Sequence, residues 1–224
     1  MHIEIPKTLT EVAAEKIRQM IIFGEFEFGQ QVTESQLSEL FGLSKTPIRE
    51  ALLRLCAERL IEIRPRCGTF ICSLTAEEID NISELRIALE VCAIQGAIGK
   101  NRDKLLAELQ KNIQDCEYLL LKPDRNTYLE MDVEFHRLLL KYANNPYLFD
   151  MHRNTTTKVL AMRNRLTFSQ EYMIKSLQEH RDIVQELSRN NADAACRILK
   201  LHINNGFTLR AKRLLSDDAY PFAN

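Results

Sequence analysis

Four residues in the second half of the chain are of types that ligate metals, at spacings that could bring them together: Asp132, His136, His180 and His202. Asp132 and His136 are four apart, so on a helix they lie one turn apart on a single face, shared with Leu129, Leu139 and Leu140. His180 stands among Leu177, Ile183, Val184 and Leu187, and His202 continues the stripe of Ala195 and Ile198. Three separate helices therefore each offer a nitrogen or a carboxylate to one interior. A lone His on an apolar helix face is commonly a hydrogen-bonded core residue, satisfied by one carboxylate such as Asp132. Three imidazoles and an Asp buried together would each need a partner, which favours a cation among them. Such a set suits a divalent Zn, Ni, Mn or Fe ion and leaves coordination positions for water or a ligand oxygen.

A second group has different chemistry. In Leu43-Ser44-Lys45-Thr46-Pro47-Ile48-Arg49-Glu50-Ala51-Leu52-Leu53-Arg54-Leu55, Ser44 reads as an N-cap whose hydroxyl accepts from a backbone N–H, and Pro47 falls within the first turn. Ile48, Leu52 and Leu55 give one apolar face, while Lys45, Thr46, Arg49 and Glu50 crowd the exposed N-terminal end. A helix that buries its back and leads with cations and a hydroxyl suits reading of a DNA major groove.

The elements needed to hold these groups follow from local pattern. Upstream, Thr33-Glu34-Ser35-Gln36 has the form of a capping box, Leu37, Leu40 and Phe41 supply a short stripe, and Gly42 ends it, so a helix, a tight turn and a second helix are expected. Downstream, Leu60 to Arg64 alternates like a strand, Pro65 to Gly68 makes a turn and Thr69 to Cys72 returns, a hairpin carrying Arg64 and Arg66. Val12, Ala13, Ile17, Met20 and Ile21 place a bracing helix over Leu9 to Phe23, ended by Gly24. After residue 73, Thr75 and Glu78 form another capping box, and helical segments are expected over 76–99, 101–121, 124–143, 146–166, 169–190 and 191–215. The expected domains are thus 1–73 for DNA, 74–215 as an antiparallel all-α bundle, and a frayed tail over 216–224.

Composition sets limits. The 224 residues are 45% hydrophobic and 27% charged, with a formal net charge of -1, so global charge does not point to a polyanion. Residues 43 to 72 nevertheless hold six cations (Lys45, Arg49, Arg54, Arg59, Arg64, Arg66) against three anions (Glu50, Glu58, Glu62). The six cysteines form no C-x-x-C pair, against a zinc ribbon or a disulfide scaffold. The N-terminus lacks an apolar signal core, and no apolar run approaches the ~18 residues of a membrane span, so a cytoplasmic address and no membrane partner are expected.

Residues 8 to 72 resemble the winged helix-turn-helix of the GntR family of bacterial transcription regulators. The family run Ser-Arg-Thr-Pro-Val-Arg-Glu-Ala-Leu is matched by Ser44-Lys45-Thr46-Pro47-Ile48-Arg49-Glu50-Ala51-Leu52. Lys45 replaces the family's usual Arg, and as a single-point cation it gives a phosphate contact more weight there. Phe28-Gly29 replaces a common Pro-Gly. The second half, through Leu85-Arg86-Ile87-Ala88-Leu89-Glu90, Asp132-x-x-x-His136 and Glu179-His180-Arg181-Asp182-Ile183, followed by Ala195 and His202, looks like the FCD ligand-binding domain of the FadR-type branch.

The resemblance implies that Asp132, His136, His180 and His202 bind a divalent metal and that a small carboxylate effector ligates it or pairs with Arg86. Arg86 also has a local reading as an intrahelical partner of Glu90. Arg163 and Arg165 could line the same cavity, while His152 and His2 match nothing and are expected to be solvent-facing or structural. On the DNA side, Lys45, Thr46 and Arg49 are expected to enter the groove, with Ser44, Arg66 and the Gly68 wing near phosphate. The expected function is a homodimeric regulator, a repressor, on a palindromic DNA operator and switched by that effector. Two alternatives are a helical metalloenzyme acting on a small organic acid, and a DNA-binding regulator whose C-terminal domain only dimerises.

Overall fold

In the computed structural model, which describes residues 7–122, 124–166 and 169–216, two threonines open the first two helices. Helix α1 (Leu9–Phe23) starts at Thr8, whose hydroxyl accepts from the Glu11 N–H at 3.2 Å while the Glu11 carboxylate accepts from the Thr8 N–H at 3.0 Å. Helix α2 (Glu34–Phe41) repeats the device with Thr33 and Gln36 at 3.2 and 3.0 Å. Gly42 then takes φ 64°, a left-handed conformation that glycine adopts without a Cβ penalty and that turns the chain sharply toward α3 (Lys45–Ala57).

Ser44 holds the cap position of α3 in extended backbone, but its hydroxyl makes no cap hydrogen bond. The reason lies three residues further in. An N-cap oxygen accepts from the second or third N–H of the helix, and the third residue here is Pro47, which has none. The apolar face behaves as its spacing predicts: Ile48, Leu52 and Leu55 are buried as α3 packs on α1, which contributes Ala13, Ile17 and Ile21.

Strands β2 (Ile61–Arg64) and β3 (Gly68–Ile71) form the expected antiparallel hairpin, with Ile61 opposite Ile71 and Arg64 opposite Gly68. A third strand, β1 (Gln31–Val32), was not foreseen. It pairs antiparallel with β3 through Gln31–Phe70 and Val32–Thr69, giving the order β1-β3-β2. Two residues are too few to show strand alternation in a sequence. At the hairpin turn Arg66 has φ 63° and Gly68 has φ 126°. The Gln31 amide donates to the Cys67 carbonyl at 3.0 Å and lies where a Cβ on Gly68 would project.

The remaining described elements are helical. Helix α4 (Ala76–Leu119) is interrupted at Asn101, where φ -143° and ψ 30° leave the helical region at the end of the expected Gly99-Lys100-Asn101 turn. The Asn101 amide donates to the Tyr142 carbonyl at 3.0 Å. Then come α5 (Arg125–Ala143), α6 (Pro146–Arg163), α7 (Gln170–Ser188) and α8 (Ala192–Ile203). A π-helical turn (Asn204–Thr208) and α9 (Leu209–Ser216) follow, where the sequence suggested one uninterrupted helix over 191–215. Helix α4 packs along α5 and also meets α7 and α8, and α7 packs on α8. Leu105, Leu109, Phe135, Leu139, Leu177 and Leu199 are among the buried side chains of that core.

The chain divides into two units. One takes residues up to Thr75 together with Thr156–Arg165 and the chain from Leu215; the other takes Ala76–Thr155 and Leu166–Leu214. The tail expected over 216–224 lies outside the described residues except for Ser216, as do His2 and, within the Lys122-Pro123-Asp124 turn, Pro123. Among the described residues no helix is long and apolar enough to cross a membrane.

All six cysteines are free thiols. Burial pushes the Cys116 thiol up to about 12, and the nearby Asp132, Asp115 and Glu117 carboxylates add to it. Cys67 and Cys92 are exposed. Because the thiolate is the reactive species, iodoacetamide at about pH 8 is expected to label Cys67 and Cys92 in the native protein and to reach Cys116 only after unfolding, as read by peptide mass spectrometry.

Candidate metal centre and nucleic-acid interface

The four residues expected to ligate a metal come together, all of them buried, with one ligand atom from each lying within 4.8 Å of the others. Helix α5 supplies Asp132 and His136 one turn apart, α7 supplies His180, and α8 supplies His202 one residue before its end. Nε2 of His202 is 3.2 Å from Nε2 of His136 and 3.3 Å from Nε2 of His180. The Asp132 carboxylate oxygens stand 3.9 Å from Nε2 of His136 and 3.9 Å from Nε2 of His180. The His180 ring is stacked on Phe135 with centroids 3.7 Å apart and an interplanar angle of 2°, which fixes its plane.

Proton placement decides what this cluster can do. Nδ1 of His136 lies 2.6 Å from Oε2 of Glu90, a carboxylate with no exposure to solvent. Burial pushes the Glu90 carboxyl up, but the Arg86 guanidinium, then His136 and His152, outweigh burial and hold it well below the usual carboxylate range. An ionised Glu90 requires His136 to carry its proton on Nδ1. Burial, aided by the positive field of Arg86, pushes His136 down to about 4 against the opposing pull of Glu90, so the ring is neutral near pH 7 and its Nε2 presents a lone pair. Nδ1 of His202 likewise meets Oε2 of Glu179 at 2.8 Å, a contact that engages Nδ1 with the carboxylate and leaves Nε2 directed inward. The Nε2 atoms of His136 and His202 face each other at 3.2 Å.

A cation resolves that arrangement. Metal–nitrogen bonds of about 2.0 to 2.1 Å in tetrahedral geometry put neighbouring ligand nitrogens about 3.3 Å apart, against 3.2 and 3.3 Å here. The residues therefore fit a divalent ion, with Glu90 and Glu179 in the role that carboxylates take behind metal-bound histidines, fixing tautomer and ring orientation.

Arg86 lies beside this cluster, 4% exposed, and its Nε donates to Oε1 of Glu90 at 2.6 Å. Its Nη1 is buried and has no hydrogen-bond partner among the described residues. The intrahelical pair expected from spacing is thus present, and Nη1 lies outside it. His152 was expected to face solvent or serve structurally; it is 7% exposed, and its Nε2 sits 3.1 Å from Oε1 of Glu90. Sequence reasoning missed Glu90 as the shared partner of three side chains, because His136 and His152 lie 46 and 62 residues away from it. Arg165 does not line the cavity: it donates to the carbonyls of Ile21 at 3.2 Å and Phe26 at 2.7 Å, with its guanidinium over the Phe28 ring. Arg163 is buried and belongs to the same unit as those residues.

At the start of α3, Ser44, Lys45, Thr46 and Arg49 are all exposed within the first turn and a half. Arg66 is exposed at the tip of the β2–β3 turn, next to the half-buried Gly68. Two family models match the chain: bacterial regulatory proteins of the gntR family over residues 9–71, and the FCD domain over residues 81–205. The chain belongs to the GntR family of bacterial regulatory proteins.

Its relatives agree. It is 30% identical to the HTH-type transcriptional regulator YdhC of Bacillus subtilis over 85% of each chain. It is 28% identical to the gluconate operon transcriptional repressor of Bacillus licheniformis over 83% of this chain and 78% of that one. The solved E. coli McbR/YncC shares the fold, with a TM-score of 0.78, 19% identity and coverage of 93% and 100% of the two chains. The protein is accordingly a GntR transcriptional regulator with an FCD domain, and the metalloenzyme alternative falls with that membership.

The buried charges of the FCD domain are interdependent. Glu90→Gln removes the carboxylate that Arg86 pairs with among the described residues, and breaking a buried pair from one side typically costs about 3 to 5 kcal/mol. Urea unfolding of the variant should show a lower midpoint with an unchanged slope; an unaltered midpoint would mean that Arg86 is not held by Glu90.

Proposed function

We infer that this GntR regulator is a repressor that binds a palindromic operator as a homodimer and is switched by a small carboxylate at a metal centre made of Asp132, His136, His180 and His202. The observation that carries the reading is the convergence of three imidazole Nε2 atoms and the Asp132 carboxylate in one buried group, with Arg86 paired to the Glu90 that meets His136. The ion, when bound, supplies Lewis-acidic positions for an effector oxygen. Arg86 is the protein's own contribution to recognition, a charge-assisted donor within the same buried region.

On the DNA side, Lys45, Thr46 and Arg49 enter the major groove, and Ser44, Arg66 and Gly68 lie along phosphate. Ser44 is suited to that role because its hydroxyl is not engaged in a cap bond. Two reading heads about one helical turn apart gain affinity and specificity over one, which favours a symmetric pair of chains on the DNA. The effector shifts the balance between DNA-binding states only by its differential affinity for them.

Two measurements test the two halves of this reading. Elemental analysis of protein purified without chelator or nickel resin should find about one metal equivalent per chain, and almost none in an Asp132→Ala, His180→Ala variant; equal, metal-free results for both would remove the centre. In gel-shift titration against a duplex selected by the protein from a random pool, Arg49→Ala is expected to weaken binding by roughly 1 to 3 kcal/mol. Unchanged binding would take Arg49 out of the interface.

A further inference from the structure

Arg49, exposed on the first turns of α3, is held from one side. Its Nε donates to Oε1 of Glu34 at 2.8 Å and its Nη2 donates to Oε2 of the same carboxylate at 2.9 Å. This bidentate pair occupies the side-on edge of the guanidinium. A guanidinium has five N–H groups in a rigid plane, and its end-on edge, formed by Nη1 and the second hydrogen of Nη2, is geometrically separate. Among the described residues no side chain takes that edge.

The carboxylate is itself fixed in place. Glu34 is the first residue of α2, immediately after the Thr33 capping box, so its backbone is set by two reciprocal hydrogen bonds. Its hydrogen bonds from Arg49 hold the carboxyl below the usual value, so it is charged near pH 7. The side chains are 65% and 31% exposed, and an ion pair that open to water adds little to stability. What it does change is the conformational freedom of Arg49, a long side chain that otherwise samples many rotamers.

We propose that Glu34 is the positioning residue for base reading by Arg49: it grips the side-on edge and thereby presents the end-on Nη1/Nη2 edge to the O6 and N7 acceptors of one guanine in the major groove. The inference rests on the reading that Arg49 enters that groove. Lys45, a point cation one turn earlier on α3, lacks the planar fork that makes the two-pronged contact rigid. Glu34 is thus a determinant of sequence preference rather than of affinity for DNA in general. A carboxylate near phosphate repels DNA, so a loss of binding on its removal runs against what charge alone dictates.

That opposition of sign makes the test sharp. The full-length wild type, Glu34→Ala, Glu34→Gln and Arg49→Ala are titrated by fluorescence anisotropy against a duplex that wild type selects from a random pool and against its scrambled counterpart. Glu34→Ala should bind the selected duplex roughly five- to tenfold more weakly while binding the scrambled duplex as well as wild type or better. Glu34→Gln, which keeps one acceptor and the shape of the side chain, should fall between and guards against a folding defect in the alanine variant. Equal or tighter binding of both duplexes by the Glu34 variants, or equal weakening on both, overturns the role of Glu34. If Arg49→Ala alone keeps full discrimination, the groove-reading assignment of Arg49 fails, and the proposal with it.

Discussion

A carboxylate with no solvent exposure organises the inner site. Glu90 accepts from Arg86, from Nδ1 of His136 and from His152, and each of those contacts settles something different. Arg86 keeps Glu90 ionised in a place where burial alone would protonate it. The ionised oxygen then dictates the tautomer of His136, which turns an unprotonated nitrogen toward His202 and Asp132. Remove the carboxylate and three cationic or polar groups lose a partner in a region with little water to replace it. The donor set is therefore preorganised by a side chain that is not itself among the donors.

At the DNA-reading end similar chemistry works in the opposite regime. Arg49 and Glu34 form a two-pronged pair as Arg86 and Glu90 form a single-pronged one, but the first lies open to solvent and the second is buried. Screening makes the exposed pair worth little to the fold, whereas the buried pair is bound to the stability of the domain. Pro47 shows a related economy at the start of α3. By lacking the N–H that Ser44 would have capped, it leaves the serine hydroxyl without a bond into the helix at the end that faces outward.

Much of the fold could be read directly from the chain. The capping box at Thr33, the stop at Gly42, the stripe of Ile48, Leu52 and Leu55 and the break at Asn101 are all local, carried by residues within a turn or two of one another. The features that escaped are those with weak or no local signal. Strand β1 is two residues long and exists because β3 pairs with it, and the π-helical turn at Asn204–Thr208 interrupts an otherwise unbroken helical pattern. Thr8 escaped although its capping box with Glu11 was there to be read.

The sequence by itself determined which helices form and which of their faces turn inward, because helical periodicity ties side-chain direction to spacing; Asp132, His136, His180 and His202 were placed on apolar faces by that rule alone. Tertiary structure alone decided which carboxylate meets which imidazole. Glu90 is 46 residues from His136, Glu179 is 23 from His202, and Arg165 reaches the backbone of Ile21 across 144 positions. No repeat length connects such residues. Their meeting follows from how whole helices pack, and the protonation, charge and direction of each functional group follow from that meeting.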